Sequence, residues 1–432
     1  MQVIYLVGVR IYGLLIWILS PFSDKAKKWA HGRRGLFMRV ASEVDQSKGS
    51  IWFHFASLGE FEQGRPVLEA LRAHRPDKAF VITFYSPSGY EIRKNTPLAD
   101  HVFYLPEDTP RNARRFIRSI NPEMAVFTKY EYWPFYFRAL AAKEVPLYLI
   151  SAIFRPNQVF FRWYGGFFRR TLRCVTHFFT QNRESLALLN QLGITHASVA
   201  GDTRFDRVVG LPKTRATIPE AESFVAGRPV LVAGSTWPAD EAALAQLHRH
   251  YPDWAIIVAP HEIHEEHISA MEKLFPGSVR FSTLRQGIRD KSQESTSATE
   301  HRSPNTNHRP PTTDHRTPVL IIDNIGMLSS LYAYGLVAYI GGGFGAGIHN
   351  TLEAAAYGIP VIFGPNHQKF QEANDLLVNG GGFRIKDADE LVAVFGRLTN
   401  EEMRTAAGNA AGRYVVEHAG ATRIILRHLI DE

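Results

Sequence analysis

The sequence predicts an α/β protein with two doubly wound parallel sheets in tandem, preceded by an apolar helix. Three observations support this fold class. The chain of 432 residues exceeds the size at which a single hydrophobic core usually stops growing. Short apolar runs alternate with longer mixed segments in two successive series, which is typical of parallel sheets covered by helices. Residues 3–20 are almost uniformly apolar.

The apolar stretch at the N-terminus is interrupted only by Arg10. As a helix it would measure about 27 Å, slightly less than the hydrocarbon core of a bilayer. Basic residues follow it, which predicts that the protein body lies on the cytoplasmic side of a membrane: Lys25, Lys27, Lys28, Arg33 and Arg34. A secretory signal would carry its charge before the apolar run. We predict a membrane-anchor helix over residues 1–22, with a core helix of a soluble domain as the alternative.

The first series of apolar runs predicts an N-terminal domain over residues 23–208. Its buried strands are the segments IWFHFAS, AFVITFY, MAVFT, PLYLI and HFFTQ. Residues 209–228 carry proline, glycine and charge with little periodicity, and we interpret them as a linker.

The second series predicts a C-terminal domain over residues 229–432. Its strands are PVLVAGS, AIIVAP, VLIID, LVAYIGG and PVIFG. Two such sheets in tandem imply a cleft between the domains. Residues 285–317 contain almost no apolar side chains, so they cannot bury enough surface to offset their ordering entropy, and we predict a disordered insertion there.

The formal net charge of +7 suits an anionic partner such as nucleic acid, phospholipid or a sugar phosphate. No recognised nucleic-acid module accompanies this charge, so we predict no nucleic-acid partner. Residues 151–173 alternate arginines with aromatic residues and are expected to lie against a membrane, a solvated basic helix being the alternative. Cys174 is the only cysteine, which rules out an intrachain disulfide and a Cys-rich zinc module.

A glycine-rich segment follows the strand LVAYIGG and contains Gly341, Gly342, Gly343, Gly345 and Gly347. Glycines let backbone N–H groups approach an anion closely, and a helix that starts near Asn350 would add unpaired donors. Glu353, one turn into that helix, could accept hydrogen bonds from ribose hydroxyls. These features together predict a nucleotide pocket.

A nicotinamide site is the alternative for this segment. Gly341, Gly343 and Ala346 fit only the loosest form of the dinucleotide fingerprint. No acidic residue follows the next strand at the distance needed to bind a ribose, and we predict no cofactor. A tight turn without a ligand is a further alternative.

Glu60 lies directly after the first strand, at the edge of the sheet where open parallel sheets bind ligands. A carboxylate there could remove a proton from an acceptor hydroxyl. The alternative is an acidic residue that interacts favourably with the dipole of the helix that follows.

Several motifs resemble, in order and content, those of the 3-deoxy-D-manno-octulosonic acid (Kdo) transferase family of GT-B fold. The family's SxGE motif, which carries the catalytic base, is matched by residues 57–60 and implies this role for Glu60. Its ETELWPN segment reads KYEYWPF here, so the resemblance gives Glu131 the role of supporting the transition state. Lys129 replaces the first acidic residue of that segment.

Two further motifs concern the leaving group. The family's GNLKFD is matched by residues 201–206, and Arg204 keeps the cation that would offset charge on departing CMP. The family's PRH motif, which contacts CMP, reads Pro260, His261 and Glu262 here. The nearby histidines are spaced three apart rather than four, which argues against a zinc site, and we predict no metal.

The remaining matches concern donor binding. Backbone groups of Ile325, Gly326 and Met327 would line the CMP pocket in the family's manner, although Met327 stands where a glutamate is usual. The family's NxLE run is matched by residues at the glycine-rich segment: Asn350, Thr351, Leu352 and Glu353.

The resemblance implies an inverting, metal-free transfer of Kdo from CMP-Kdo to a lipid A precursor at the cytoplasmic side of the cell inner membrane. Glu60 would deprotonate the acceptor hydroxyl, and the donor would occupy the C-terminal domain. Two alternatives remain open. One is a GT-B transferase that uses another nucleotide sugar, and the other is a non-catalytic membrane-associated binding protein.

Overall fold

The computed structural model describes residues 1–288 and 318–431. The chain forms two compact units: unit 1 comprises Met1–Arg207 together with His418–Glu432, and unit 2 comprises Val208–Glu417. Of the predicted insertion, only residues 285–288 are described, and they continue a helical stretch over 281–288. The other residues of that prediction lie outside the described part of the chain.

The helices, in chain order, are α1 Gln2–Leu19, α2 Asp24–Gly32, α3 Leu36–Glu43, α4 Leu58–His74, α5 Pro87–Arg93, α6 Pro110–Ile120, α7 Pro134–Ala141, α8 Gly166–Leu172, α9 Arg183–Gln191, α10 Thr203–Val209, α11 Leu211–Thr214, α12 Pro219–Val225, α13 Pro238–His250, α14 Glu265–Leu274, α15 Leu328–Leu331, α16 Leu352–Ala355, α17 Gln371–Asn379, α18 Ala388–Leu398, α19 Glu401–His418 and α20 Ala421–Asp431.

Unit 1 contains one sheet of the strands β1 Ser50–Phe55, β2 Ala79–Phe84, β3 His101–Tyr104, β4 Pro122–Thr128, β5 Leu147–Ala152, β6 His177–Thr180 and β7 Ala197–Val199. Unit 2 contains a second sheet of the strands β8 Val230–Thr236, β9 Ala255–Pro260, β10 Val279–Arg280, β11 Val319–Ile321, β12 Val337–Ile340, β13 Val361–Phe363 and β14 Gly382–Arg384.

Both sheets are parallel and doubly wound, as the sequence predicts. The strand orders are β3-β2-β1-β4-β5-β6-β7 and β10-β11-β9-β8-β12-β13-β14. In each unit the order reverses beside a central strand, β1 or β8. Ligands of such sheets bind beyond the carboxyl ends of the strands at this reversal point.

Apolar side chains on both faces of the first sheet form its cores. Trp52 packs with one cluster of buried residues, whereas Phe53 and Phe55 pack with the cluster on the opposite face. This alternation follows from the two-residue period of a strand, and burial on both faces explains why β1 is apolar almost throughout.

The domain boundaries differ from the predicted ones at the C-terminus. Helix α20 belongs to unit 1, because Ile425 and Leu429 lie in its core. The carboxylate of Asp206 accepts hydrogen bonds from the backbone N–H groups of Gly420 and Thr422, at 2.5 and 2.8 Å, and so holds the start of α20.

The predicted linker, residues 209–228, is also more ordered than expected. It contains α11 and α12, and Ala221 and Phe224 are buried in unit 2. The backbone N–H of Ile218 donates to the Tyr334 hydroxyl at 2.8 Å. Short helices with few apolar positions carry little periodicity, which is why the segment resembles a linker in the sequence.

Helix α1 is attached to unit 1 along one side only. The Tyr5 hydroxyl donates to the Asp108 carboxylate at 2.8 Å, and Arg10 pairs with Glu107 at 3.2 Å. Gly13 is its one buried residue, and a Cβ there would collide with Glu107. The exposed side is apolar and includes Val3, Ile4, Val7, Ile11, Leu14, Leu15, Trp17, Ile18 and Leu19. Among the described residues, α1 is the one helix long and apolar enough to cross a membrane.

Candidate functional site

Glu60 lies in the first turn of α4, beside the carboxyl end of β1. Ser57 is the N-cap residue of α4, but its hydroxyl donates to Glu60 Oε2 at 2.9 Å instead of capping a backbone N–H. Burial and the nearby charge of Glu131 raise the pKa of Glu60 to about 7, against the opposing effects of Ser57 and Lys129. A carboxyl group with this pKa is suited to general-base chemistry at neutral pH.

Glu131 is held by two neighbouring rings. The Trp133 indole N–H donates to Glu131 Oε2 at 2.8 Å, and His54 Nε2 lies 3.2 Å from the same oxygen. The Glu131 side chain is 11% exposed, and His54 is fully buried. These contacts fix the position of the Glu131 carboxylate.

The orientation of His54 is set from its other side. The Trp52 indole donates to Thr83 Oγ1 at 2.9 Å, and that hydroxyl lies 2.8 Å from His54 Nδ1. The Trp133 indole N–H lies 3.1 Å from His54 Nε2, so the imidazole ring is held between Thr83, Trp133 and Glu131. A chain of hydrogen bonds thus runs from the core of the sheet to this carboxylate.

Arg204 is positioned by a buried carboxylate at the start of α10. The Asp202 carboxylate accepts hydrogen bonds from the backbone N–H of Arg204 at 3.0 Å and from Arg204 Nε at 2.9 Å. The side-chain amide of Gln63 also donates to Asp202, at 2.9 Å. The charge and hydrogen bonds of Arg204 lower the pKa of Asp202 in spite of its burial. These hydrogen bonds therefore fix the position of the Arg204 guanidinium group.

The three predicted catalytic residues share one region of unit 1. Burial raises the pKa of Tyr130; the charge of Glu60 raises it further, and the charge of Arg204 lowers it. The charge of Glu131 in turn raises the pKa of Glu60. The charge of Lys129, which replaces an acidic family residue, lowers the pKa of Glu60. Lys129 adopts the left-handed conformation, with φ of +66°, directly after β4.

In unit 2, Asp240 organises the predicted nucleotide region. Its fully buried carboxylate accepts from the Tyr339 hydroxyl at 2.7 Å and from the backbone N–H groups of Gly342 and Trp237, both at 2.9 Å. These bonds tie the ends of β8 and β12 to the first turn of α13. The sequence analysis assigned no role to Asp240.

The glycine-rich segment needs its glycines partly for internal packing. A Cβ at Gly341 would collide with the backbone of Ser235 and Thr236, and one at Gly343 with the backbone of Gly364. Gly342 has a φ of +88°. These glycines therefore allow neighbouring loops to pack together, whether or not they also allow a ligand to approach the backbone.

The predicted helix near Asn350 is much shorter than expected. Helix α16 has four residues, so it offers only a weak helix dipole. Asn350 accepts from the backbone N–H of Leu352 and donates to Glu353, both at 3.1 Å. Thr351 and Leu352 are fully buried, which leaves the half-buried Asn350 and Glu353 as the side chains of this run that a ligand could contact.

Three aromatic rings cluster beside the glycine-rich segment. His261 stacks on Trp237 at 4.8 Å and on His349 at 4.5 Å between ring centroids. Trp237 donates to His349 Nε2 at 3.3 Å. Burial and His261 lower the pKa of His349, so this imidazole is neutral at pH 7. His261, which stands where the family has arginine, is exposed and follows the buried Pro260.

The segment of Ile325, Gly326 and Met327 lies in the loop between β11 and α15. Ile325 is 86% exposed, Gly326 has a φ of +102°, and Met327 precedes α15 as its N-cap residue. The loops after β11, β9, β8 and β12 belong to four adjacent strands. The sequence-predicted donor-binding residues are thus brought to one edge of the second sheet.

The histidines of the HEIHEEH segment have separate roles. His264 accepts from the backbone at the start of α14, and His267 lies 2.9 Å from the buried Glu241. Across residues 1–288 and 318–431, no group of three His, Cys, Asp or Glu side chains is close enough to hold a metal ion.

Together, the two parallel sheets, one in each unit, define a protein of the GT-B class, with two Rossmann-like domains. Similar solved structures share this fold. A UDP-GlcNAc 2-epimerase from Neisseria meningitidis has a TM-score of 0.60 at 15% identity, covering 89% of this chain and all of the other. A glycosyltransferase from Rickettsia africae has a TM-score of 0.54 at 11% identity, covering 89% and 97%.

Sequence comparison confirms the resemblance to the Kdo transferase family. Residues 30–207 match the family model described as 3-deoxy-D-manno-octulosonic-acid transferase (kdotransferase). The 3-deoxy-D-manno-octulosonic acid transferase of Bordetella pertussis is 29% identical, covering 88% of this chain and 87% of its own length. The enzyme of the same name from Haemophilus influenzae is 25% identical over 95% and 93%. The relationship extends across both units.

Proposed function

We propose that this protein is a Kdo transferase that moves Kdo from CMP-Kdo to a lipid A precursor in lipopolysaccharide synthesis. The observation that carries the proposal is the pairing of Glu60 with the fixed carboxylate of Glu131 beside the carboxyl end of β1, in a chain related to Kdo transferases over most of its length.

In the proposed reaction, Glu60 accepts the proton of an acceptor sugar hydroxyl. The hydroxyl oxygen attacks the anomeric carbon of Kdo as the bond from that carbon to the CMP phosphate oxygen breaks, and CMP leaves with the bonding electrons. Inversion follows from this single displacement. Glu131 supports positive charge near the anomeric carbon, and Arg204 offsets negative charge on the leaving group.

The donor is proposed to bind at the edge of the second sheet. Backbone groups of residues 325–327, the side chains of Asn350 and Glu353, and the His261 ring are its contacts. Asp240 stabilises this region, because its carboxylate accepts hydrogen bonds from the backbone N–H groups of Gly342 and Trp237. No metal is required, because backbone N–H groups and cationic side chains can hold the phosphate.

The acceptor is proposed to reach unit 1 from the cytoplasmic face of the inner membrane. Helix α1 has a broad exposed apolar side. Beside it, Phe167 and Phe168 of α8 contact Tyr5, and Trp163, in the preceding loop, is 91% exposed. Exposed tryptophan and nearby arginines are typical of a surface that lies at a membrane interface.

Mass spectrometry of a lipid A precursor after incubation with the protein and CMP-Kdo tests the proposal. We expect the acceptor to gain the mass of one or more Kdo units. An unchanged acceptor, with protein that is folded and binds CMP, would contradict the proposed activity.

The choice of nucleotide can be tested separately. CMP should raise the thermal unfolding temperature more than UDP does at equal concentration, because ligand binding to the native state stabilises it. A larger shift with UDP would favour a transferase that uses another nucleotide sugar.

A further inference from the structure

An apolar groove runs beneath helix α1 in unit 1. It comprises two neighbouring cavities of about 350 Å³ each, and both are lined by Tyr12 and Tyr85, whose stacked rings are 6.3 Å apart. Each cavity lies within the size range of small-molecule sites. Gly8 and Ile16 of α1 line its roof, and Trp133 lies at its inner end. This groove is separate from the polar groups assigned to the reaction.

The inner end of the groove adjoins the predicted catalytic region. The Trp133 ring lines the groove and packs against Tyr85 at 4.8 Å between centroids. The indole N–H of the same residue donates to Glu131 Oε2 at 2.8 Å. A molecule that fills the groove would therefore end one side chain away from Glu131.

The other end of the groove is bordered by Ser23 and Lys25, at the start of α2. Its roof is the inner side of α1, whose outer side exposes many large apolar residues. The groove thus lies between the protein body and the helix proposed to enter the membrane. An apolar chain that enters from the Trp133 end matches these walls.

The one carboxylate that lines the groove is already occupied by the protein. Asp108 accepts from the Tyr5 hydroxyl at 2.8 Å and from the backbone N–H groups of Phe135 and Tyr136, at 3.1–3.2 Å. It is fully buried. Apart from its polar end, the groove therefore offers mainly aromatic and aliphatic surface to a ligand.

We infer that this groove binds one acyl chain of the glycolipid acceptor and so places the acceptor sugar beside Glu131 and Glu60. The inference rests on the proposed function and adds to it how the acceptor is held. Each methylene that enters an apolar groove from water contributes favourably to binding, so the acyl chain would provide much of the acceptor affinity.

Gly8 allows the groove to be closed by a single substitution. A Cβ at this position meets no atom within 4 Å, so a larger side chain can extend into the cavity without collision at its root. Gly8→Leu should fill the inner cavity while keeping α1 apolar and helical. Gly8→Ala adds little volume, and Val7→Leu changes the exposed side of α1 by one methylene, so both are matched controls.

The experiment measures kcat/KM of each variant with an acylated glucosamine disaccharide phosphate in detergent micelles and with its deacylated counterpart. We expect Gly8→Leu to lose about tenfold or more with the acylated acceptor, as if about two methylenes were withdrawn from the groove. With the deacylated acceptor it should match the wild type. With the acylated acceptor Gly8→Ala should lose less than Gly8→Leu does, and Val7→Leu should match the wild type throughout.

Three outcomes would overturn the inference. Unchanged kcat/KM of Gly8→Leu with the acylated acceptor means that no acyl chain occupies the groove. An equal loss with both acceptors means that the substitution disturbs the catalytic region. Weaker flotation of Gly8→Leu with phospholipid vesicles, at unchanged transfer in micelles, means that the groove holds a bilayer lipid. Failure of the wild type with both acceptors would instead contradict the proposed function itself.

Discussion

Glu60 shows how the surroundings of one side chain prepare it for chemistry. Its position after β1 is readable from the sequence, because a glutamate that follows a buried strand lies at the ligand-binding edge of a parallel sheet. Its raised pKa is not readable, since that depends on burial and on Glu131, which is 71 residues away in the chain. Neither the burial of Glu60 nor its distance from Glu131 can be derived from the spacing of residues along the chain.

The pH dependence of transfer should report this pKa. Burial raises the pKa of Glu60 to about 7, so the group is mostly protonated at pH 6 and mostly ionised at pH 8. Because a general base acts in its ionised form, kcat/KM should rise with pH through about 7 and then level off. A profile without a rising limb between pH 6 and 8 would contradict the assigned role.

His54 should contribute to the rate through Glu131. His54→Phe keeps a flat ring but removes the ring nitrogen that lies 3.2 Å from Glu131 Oε2. Hydrogen bonds to charged groups contribute about 1.5–3 kcal/mol, so kcat should fall by about 10- to 100-fold. Steady-state kinetics should show little change in KM for CMP-Kdo.

Thr83→Val provides the control for His54. It removes the hydroxyl that lies 2.8 Å from His54 Nδ1 but leaves the imidazole in place. Its kcat should lie between those of the wild type and His54→Phe. Equal kcat for all three proteins would mean that the hydrogen-bond chain behind Glu131 has no part in positioning it.

At the scale of elements, the central strands were predicted from their apolar runs, and the structure confirms them. The four strands that the sequence analysis missed, β3, β7, β10 and β14, are the edges of the two sheets. Edge strands are short and only partly buried, so they lack the continuous apolar run by which a central strand is recognised.

Asp108 links three elements that are distant in the sequence. Its carboxylate accepts from the first backbone N–H groups of α7 and from Tyr5 of α1. Asp108→Ala leaves these buried donors without a partner and should lower the free energy of unfolding by about 2–4 kcal/mol. Denaturant unfolding in detergent measures this change.

Tyr5→Phe separates the contribution of α1 from that of α7. It removes only the hydroxyl that reaches Asp108, so the expected loss is about 1 kcal/mol. If Tyr5→Phe destabilises the protein as much as Asp108→Ala does, the cap of α7 contributes nothing and the account of Asp108 is wrong.

At the scale of the whole molecule, the tandem repetition of apolar runs predicted two parallel sheets, and both are present. The assignment of α20 to unit 1 could not be predicted in this way, because α20 follows the second series of apolar runs in the chain. Helix α20 is held in unit 1 by the hydrogen bonds of Asp206 and by the core contacts of Ile425 and Leu429. These interactions join parts of the chain separated by more than 200 residues.

The family motifs select positions at the carboxyl ends of the strands, but they do not define the role of each side chain. Thr351 and Leu352 match the NxLE run but are buried, whereas Asp240 and His349, which received no role, organise the same region. A motif records which residue types recur in a family. It does not distinguish a side chain that touches a ligand from one that supports the loop.

The central claim is that Glu60 carries out the chemistry of Kdo transfer. Its most direct test compares the wild type with Glu60→Gln, in mass-spectrometric detection of Kdo on the acceptor and in thermal shift with CMP. Glu60→Gln should lose about 10²–10⁴-fold in transfer rate, the usual contribution of a general base, while it unfolds at a similar temperature and still responds to CMP. Transfer by Glu60→Gln at the wild-type rate would contradict the account.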